Sequence, residues 1–235
     1  MIRKAFLALA DLFLPRRCVV CGRKLLLNER FCCTPCRADL PYTYFWTSPH
    51  NSMADRYNAK ITDEPGYAGA VALFFYDSGS GYEHITQHLK YEGGIRSGKY
   101  FAGILADKMI EGGAAAGIDA VIPVPLHRRR LRSRGYNQAE VVAAVLAERF
   151  GARLYPDALK RRRFTRTQTG ISVEMKAKNV EGAFELSKPL DAKHILIVDD
   201  VFTTGSTLAE CQKAIRLKIG HGCKISIATL ACVGE

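Results

Sequence analysis

Toward the C-terminus, Ile195-Leu-Ile-Val-Asp199-Asp200-Val-Phe-Thr203-Thr204-Gly205-Ser206-Thr207 sets two adjacent acids between an apolar run and a hydroxyl-rich turn. The apolar run predicts a buried strand, and the turn with its one glycine predicts the start of a helix. A helix N-terminus offers unbonded N–H groups and a positive dipole, to which Thr203, Thr204, Ser206 and Thr207 add hydroxyl donors. Such a turn suits a phosphate monoester. Two carboxylates at the C-terminal end of a strand accept hydrogen bonds from vicinal sugar hydroxyls, directly or through Mg²⁺. Phosphate and diol together describe a ribose 5-phosphate. The plain alternative is a capped helix after a buried strand, which favours the same residue types.

A second constellation is Cys18-x2-Cys21 and Cys33-x2-Cys36, with 11 residues between the pairs. Two-residue spacing lets both thiolates of one turn face the same ion, and two turns complete a tetrahedral site of four sulfurs. Soft ligands with no histidine nearby favour Zn²⁺, with an iron–sulfur cluster as the second choice. Cys32 is an alternative to Cys33, but the C-x2-C spacing favours Cys33. Four cysteines leave no open coordination position, so the expected role is structural. Five of the eight cysteines lie between Cys18 and Cys36, unlike the even density of a secreted disulfide scaffold. Cys211, Cys223 and Cys232 fall in helix and strand patterns and read as buried apolar residues.

Charge is the third signal. The chain of 235 residues carries a formal +11, and residues 127–178 hold 14 Lys/Arg against 4 Asp/Glu. Outside that stretch the groups nearly balance, at 20 basic and 19 acidic. Such concentration favours a phosphate-bearing partner over an evenly solvated surface. Two rival motifs fail. Gly93-x4-Gly98-Lys99 has P-loop spacing, but Tyr100 stands where a magnesium-binding Ser/Thr belongs, and a helix rather than a strand is predicted before it. A phospho-receiver domain needs a further acceptor aspartate, and no Asp follows Asp200.

Elements must position these groups. The pattern predicts strands at 69–76, 120–124, 194–198 and 224–232, and helices near 85–93, over 99–111, from the Asn137 cap to Phe150, and from Gly205 or Ser206 to Lys218. Apolar strands alternating with helices predict an α/β fold with a parallel sheet covered by helices on both faces. Residues 42–66 read as an irregular connection. The first 15 residues imitate a secretory leader, yet Asp11 interrupts the apolar run and no cleavage site follows. Ile2, Phe6, Leu9 and Phe13 instead predict a short amphipathic helix. No apolar run approaches a membrane span. The expected location is cytoplasmic, with peripheral contact to the inner membrane as an open alternative.

The segment 195–207 resembles the phosphoribosyl-diphosphate (PRPP) motif of type I phosphoribosyltransferases, departing from it only at Phe202, where a smaller aliphatic residue is usual. With it, the cysteine pairs, Leu89-Lys90-Tyr91-Glu92-Gly93, Val121-Ile-Pro-Val-Pro125-Leu126-His127-Arg128-Arg129-Arg130 through Arg134-Gly-Tyr-Asn-Gln138, and Arg166-Thr167-Gln168-Thr169-Gly170 resemble the ComF family, in that family's order. The resemblance implies a type I phosphoribosyltransferase core preceded by a small zinc-binding module. It implies divisions at 1–41 (N-terminal helix and four-cysteine zinc module), 42–118 (connecting and hood region with the first strand) and 119–235 (transferase core). Asp199, Asp200, Thr203, Thr204, Gly205, Ser206 and Thr207 are then the PRPP-binding residues, with Mg²⁺ entering beside PRPP. Pro125, Leu126, His127, Arg128 and Arg129 correspond to the diphosphate loop. Arg166, Thr167, Gln168 and Thr169 belong to a flexible loop closing over the substrate.

Two functions follow from the resemblance. One is a protein that binds PRPP or another ribose phosphate and handles single-stranded DNA during natural transformation, with DNA-uptake machinery proteins as further partners. The other is an active phosphoribosyltransferase of nucleotide-related metabolism without a DNA role. No residue stands out as general base; His127 beside an arginine run reads more simply as a polar loop residue.

Overall fold

The computed structural model describes residues 14–62, 65–91, 94–162 and 182–234. The predicted N-terminal amphipathic helix and the loop residues Arg166, Thr167, Gln168 and Thr169 lie outside them.

Five parallel strands form the central sheet in the order β1 (Ala70–Tyr76), β7 (Lys224–Val233), β6 (His194–Phe202), β2 (Ala120–Pro123) and β3 (Arg153–Leu154). Alternation along the strands sorts the core into two layers. Leu196 and Val198 of β6 join one apolar cluster with Val71, Val121 and Leu230, whereas Ile195 and Ile197 join the other with Ala70, Ile122 and Ile227. Both faces are therefore covered, as continuous apolar strands require.

On the first face lie α4 (Gly94–Glu111) and α6 (Gln138–Phe150), which bury Phe101, Leu105, Met109, Val142 and Leu146. On the second lie α2 (Ser52–Asn58), α7 (Ser206–Ile219) and an antiparallel hairpin of β4 (Leu159–Arg161) and β5 (Phe184–Leu186). Each fully buried large side chain contributes about 1.5–3 kcal/mol over its exposed state. The short helices α1 (Thr34–Ala38), α3 (Glu83–His88) and α5 (Arg128–Arg134) complete the described α-helices.

The helix signals around residues 137–151 act as read. The Asn137 side chain accepts a hydrogen bond from the Ala139 amide at 3.2 Å, and Gly151 ends α6 at a φ of 66°. Three expectations change. Residues 42–66 contain a real helix, α2, whose Asn51 cap accepts from the Ala54 amide at 2.9 Å. Strand β6 continues past the acids to Phe202, because β7 stays paired with it as far as Cys232. Helix α4 begins at Gly94 rather than Lys99. Glycine here serves close approach instead of helix termination: a Cβ at Gly94 would collide with the His88 carbonyl, and one at Gly98 with the Leu89 side chain.

The edge of β1 is closed by the chain leaving the cysteine module. Tyr42 bridges Phe74 antiparallel, with the Phe75 amide donating to the Pro41 carbonyl at 2.8 Å and the Thr43 amide to the Leu73 carbonyl at 3.2 Å. Cys18, Val20, Leu25, Cys32 and Cys33 share one apolar cluster with α4 and the sheet.

Candidate functional site

Strand β6 delivers Asp199 and Asp200 to the C-terminal end of the sheet, and the chain turns through Thr203–Gly205 into α7. Gly205 holds a φ of 77°, and a Cβ there would stand 2.9 Å from the buried Phe202 ring. Both the left-handed backbone and that contact exclude side chains, so glycine is required. The unusual Phe202 thus forms the floor of the turn. Above it the Thr204 and Ser206 hydroxyls lie 3.1 Å apart, and the Ser206 amide donates to Thr204 Oγ1 at 3.4 Å. Thr203 is exposed, and Thr204 and Thr207 are half-buried. The first amides of α7 have no carbonyl within their own helix, and they open on this turn.

The two acids are not equivalent. The Asp200 amide donates to Asp199 Oδ1 at 2.9 Å. Burial first, and the neighbouring Asp200 carboxylate second, push Asp199 well above the usual carboxylate range, against the pull of Arg161. Asp200, half-buried like Asp199, has its Oδ2 3.8 Å from the Lys90 ammonium.

The predicted diphosphate loop lies beside this pair, in a cleft of about 490 Å³. Pro125, Leu126, His127 and Arg128 line the cleft, as do Lys160, Arg161 and Arg162, while Arg129 does not. His127 caps α5 by accepting from the Arg129 amide at 3.2 Å. Burial and then the charges of Arg161, Arg129, Arg130 and Arg128 lower its pKa, which favours the neutral acceptor ring that this cap needs. Asn137, besides capping α6, donates to the Val124 carbonyl at 3.0 Å and so ties the loop to the helix behind it. The acidic pair does not line the cleft; Arg161 of β4 joins the two, lining the cleft while acting electrostatically on Asp199.

Sequence reasoning assigned no role to three residues that the fold brings here. Lys90 reaches Asp200 from the turn after α3. Arg161 arrives from the hairpin, its guanidinium 5.3 Å from the Phe184 ring centroid. Arg56, on α2, donates to the Val233 carbonyl at 2.8 Å and to the Thr203 carbonyl, and lies 5.1 Å from the Phe202 ring centroid. Lys90 sat in a segment already singled out; Arg56 sat in one read as irregular, with no signal to mark it.

The cysteine cluster has a different build. The Sγ atoms of Cys18, Cys21, Cys33 and Cys36 all lie within 4.8 Å of one another, and those of Cys21 and Cys33 are 3.8 Å apart. Four thiolates at about 2.3 Å from a tetrahedral ion stand about 3.8 Å apart, so the donor set fits Zn²⁺. Burial pushes the Cys18 thiol up, but the amides of Cys21, Cys33 and Val20 outweigh it and bring it to about 6. Burial sends Cys32 to about 12, and this residue stands outside the four-sulfur cluster. Glu29 braces the loop between the pairs, accepting from the Leu26 amide at 2.8 Å and the Thr34 amide at 2.7 Å. No helix among the described residues is long and apolar enough to cross a membrane.

Comparison with known proteins agrees with this geometry. The phosphoribosyl transferase domain family matches residues 96–235. The chain is 27% identical over 213 residues to the Haemophilus influenzae protein called competence protein F, covering 87% of this chain and 92% of that protein. Over 97 residues it is 41% identical to the Escherichia coli O6:H1 "DNA utilization protein YhgH" and 38% identical to the Salmonella typhi protein of that name. Those matches span 41% of this chain and 43% of each YhgH protein, under half of their length. With the parallel sheet and the match over residues 96–235 together, the chain belongs to the phosphoribosyl transferase domain family.

Proposed function

We propose that the turn Asp199–Thr207 binds the ribose 5-phosphate portion of PRPP, with the diphosphate directed toward Pro125–Arg128 in the cationic cleft. One observation carries this reading. An acidic pair, a glycine turn at a helix start and a cleft lined by His127, Arg128, Lys160, Arg161 and Arg162 meet at one end of the sheet. In this arrangement the α7 turn takes the 5-phosphate, the acids take the 2- and 3-hydroxyls, and the cleft takes the diphosphate. Mg²⁺, which fits a site of carboxylates and diphosphate oxygens, supplies charge neutralisation of the diphosphate. The chain's own contribution to any transfer is positioning and electrostatic stabilisation as the C1–diphosphate bond weakens. Zn²⁺ in the Cys18/Cys21/Cys33/Cys36 cluster holds the small module together.

The protein works in the cytoplasm on single-stranded DNA in this reading. The names of its relatives, one a competence protein and the other a DNA utilization protein, support a role with DNA, and the 14 basic residues between positions 127 and 178 suit a phosphate-bearing partner. Calorimetric titration with PRPP and Mg²⁺ tests the sugar-phosphate site: binding by wild type and a loss of at least about tenfold in Asp200→Asn are expected, because a charged acceptor is removed. Absence of heat with wild type would overturn the reading. A labelled oligonucleotide that fails to bind at low salt, while PRPP still does, would leave the transferase reading without a DNA role.

A further inference from the structure

We infer that Lys90 is a diphosphate-binding residue of this site, presented by a turn that Gly94, Gly98 and Tyr136 hold in place; this rests on the sugar-phosphate reading of Asp199–Thr207. The Lys90 side chain is one-third exposed and its ammonium lies 3.8 Å from Asp200 Oδ2, so it occupies the position of a counter-cation to the carboxylate that meets the diol. In a ribose 5-phosphate carrying a diphosphate on C1, the 2-hydroxyl is on the neighbouring carbon. A flexible four-carbon ammonium beside the acid that grips this hydroxyl, itself no part of the cleft lining, would therefore meet the C1 oxygens from the Asp200 side. It exchanges one carboxylate for several phosphate oxygens as partners.

The backbone around Lys90 is built to hold that position. The Lys90 amide donates to the Gln87 carbonyl at 2.9 Å, the Tyr91 amide to the His88 carbonyl at 3.2 Å, and the Gly94 amide to the Tyr91 carbonyl at 3.0 Å. The Tyr136 hydroxyl lies 2.6 Å from both the Leu89 and Tyr91 carbonyls and shares its one proton between them, bracketing Lys90 on either side. Behind the turn, Leu89 is fully buried in a notch that exists because Gly94 and Gly98 carry no side chain. The glycines that imitate a phosphate-binding loop thus act at one remove, by seating the residue that meets the phosphate. Tyr136 belongs to the same segment as the arginines of α5, so the cationic loop and the lysine turn are fastened together.

The test compares PRPP and ribose 5-phosphate, two ligands that differ only in the C1 diphosphate, both with Mg²⁺ present, on wild type, Lys90→Met, Lys90→Arg and Tyr136→Phe. The expected result is a loss of at least tenfold in PRPP affinity for Lys90→Met, with ribose 5-phosphate changed less than twofold and partial recovery in Lys90→Arg. Tyr136→Phe gives the same selective loss, smaller, at several-fold. A parallel loss of both ligands, or of neither, in a Lys90→Met protein that melts like wild type would overturn the assignment of Lys90 alone. Wild type that takes up neither ligand would overturn the underlying sugar-phosphate reading, and the Lys90 proposal with it.

Discussion

The cysteine module and the acidic turn are both small side-chain clusters, yet they are assembled in opposite ways. All four sulfurs come from positions 18–36 and converge within 4.8 Å, closed by chain-local hydrogen bonds such as those of Glu29. The turn at 199–207 draws on Arg56, Lys90 and Arg161, from three separate elements, to place its charges. The first arrangement is local and closed; the second is long-range and open on one side. A local site stands or falls with its own residues. A long-range one can be tuned from a distance.

Cys33→Ser gives the largest expected effect. With Zn²⁺ held as proposed, removing one thiolate from the tetrahedral set would forfeit most of the metal's contribution to folding, so metal content is expected to fall from one ion per chain toward zero and Tm to drop by about 10 °C or more. Retention of a stoichiometric ion with an unchanged melt would show that the module is not metal-built. Next is Gly205→Ala. The left-handed backbone alone costs about 1–2 kcal/mol, and the Phe202 ring must also shift. PRPP affinity is expected to fall more than tenfold while metal content stays unchanged, which separates the two regions.

Arg56→Ala is expected to cost about 1–3 kcal/mol, through two lost charged hydrogen bonds and the Phe202 stacking contact. If the acidic turn is tuned from a distance, PRPP binding weakens several-fold in this variant although Arg56 belongs to neither predicted loop. A pure stability loss with unaltered affinity would break that side of the comparison.

The smallest effect lies at the far end of the sheet. His194 is buried against Ser226, 2.9 Å away, and burial followed by Lys224 lowers its pKa below the ordinary 6.5. A depressed pKa means that the unfolded chain binds the proton more readily, so this part of the stability is present above pH 6.5 and lost as pH falls below it. Chemical denaturation at about pH 7.5 and about pH 5.5, one on each side of that value, should show a larger loss for wild type than for His194→Gln. PRPP affinity on the alkaline side should be the same in both.

What the sequence revealed follows the same division. The cysteine pairs, the apolar strands and the Asn137-to-Gly151 helix were legible because spacing, periodicity and caps are local properties. The turn at Gly205 was legible as well, since a helix start carries its own signals. Helix α2 was missed because its short apolar set, Met53, Ala54 and Tyr57, gives too little periodicity among scattered aromatics. Arg161 and Lys90 could not be paired with Asp199 and Asp200 in advance, since only the sheet order brings those segments together. At Gly94 glycine's two uses, ending a helix and admitting a neighbouring backbone, look alike in sequence until the neighbour is known.

The position of β1 has a practical consequence for anyone trimming this protein. The transferase family match begins at residue 96, but β7 is flanked by β1, whose residues come from 70–76. A fragment started at the family boundary would lose that neighbour and turn largely apolar β7 into an edge strand, with the backbone groups of residues 227–233 that face β1 left open. Such an edge recruits other copies. The shorter polypeptide would then be expected to precipitate or form mixed aggregates when produced, so expression trials should keep the chain from the cysteine module onward.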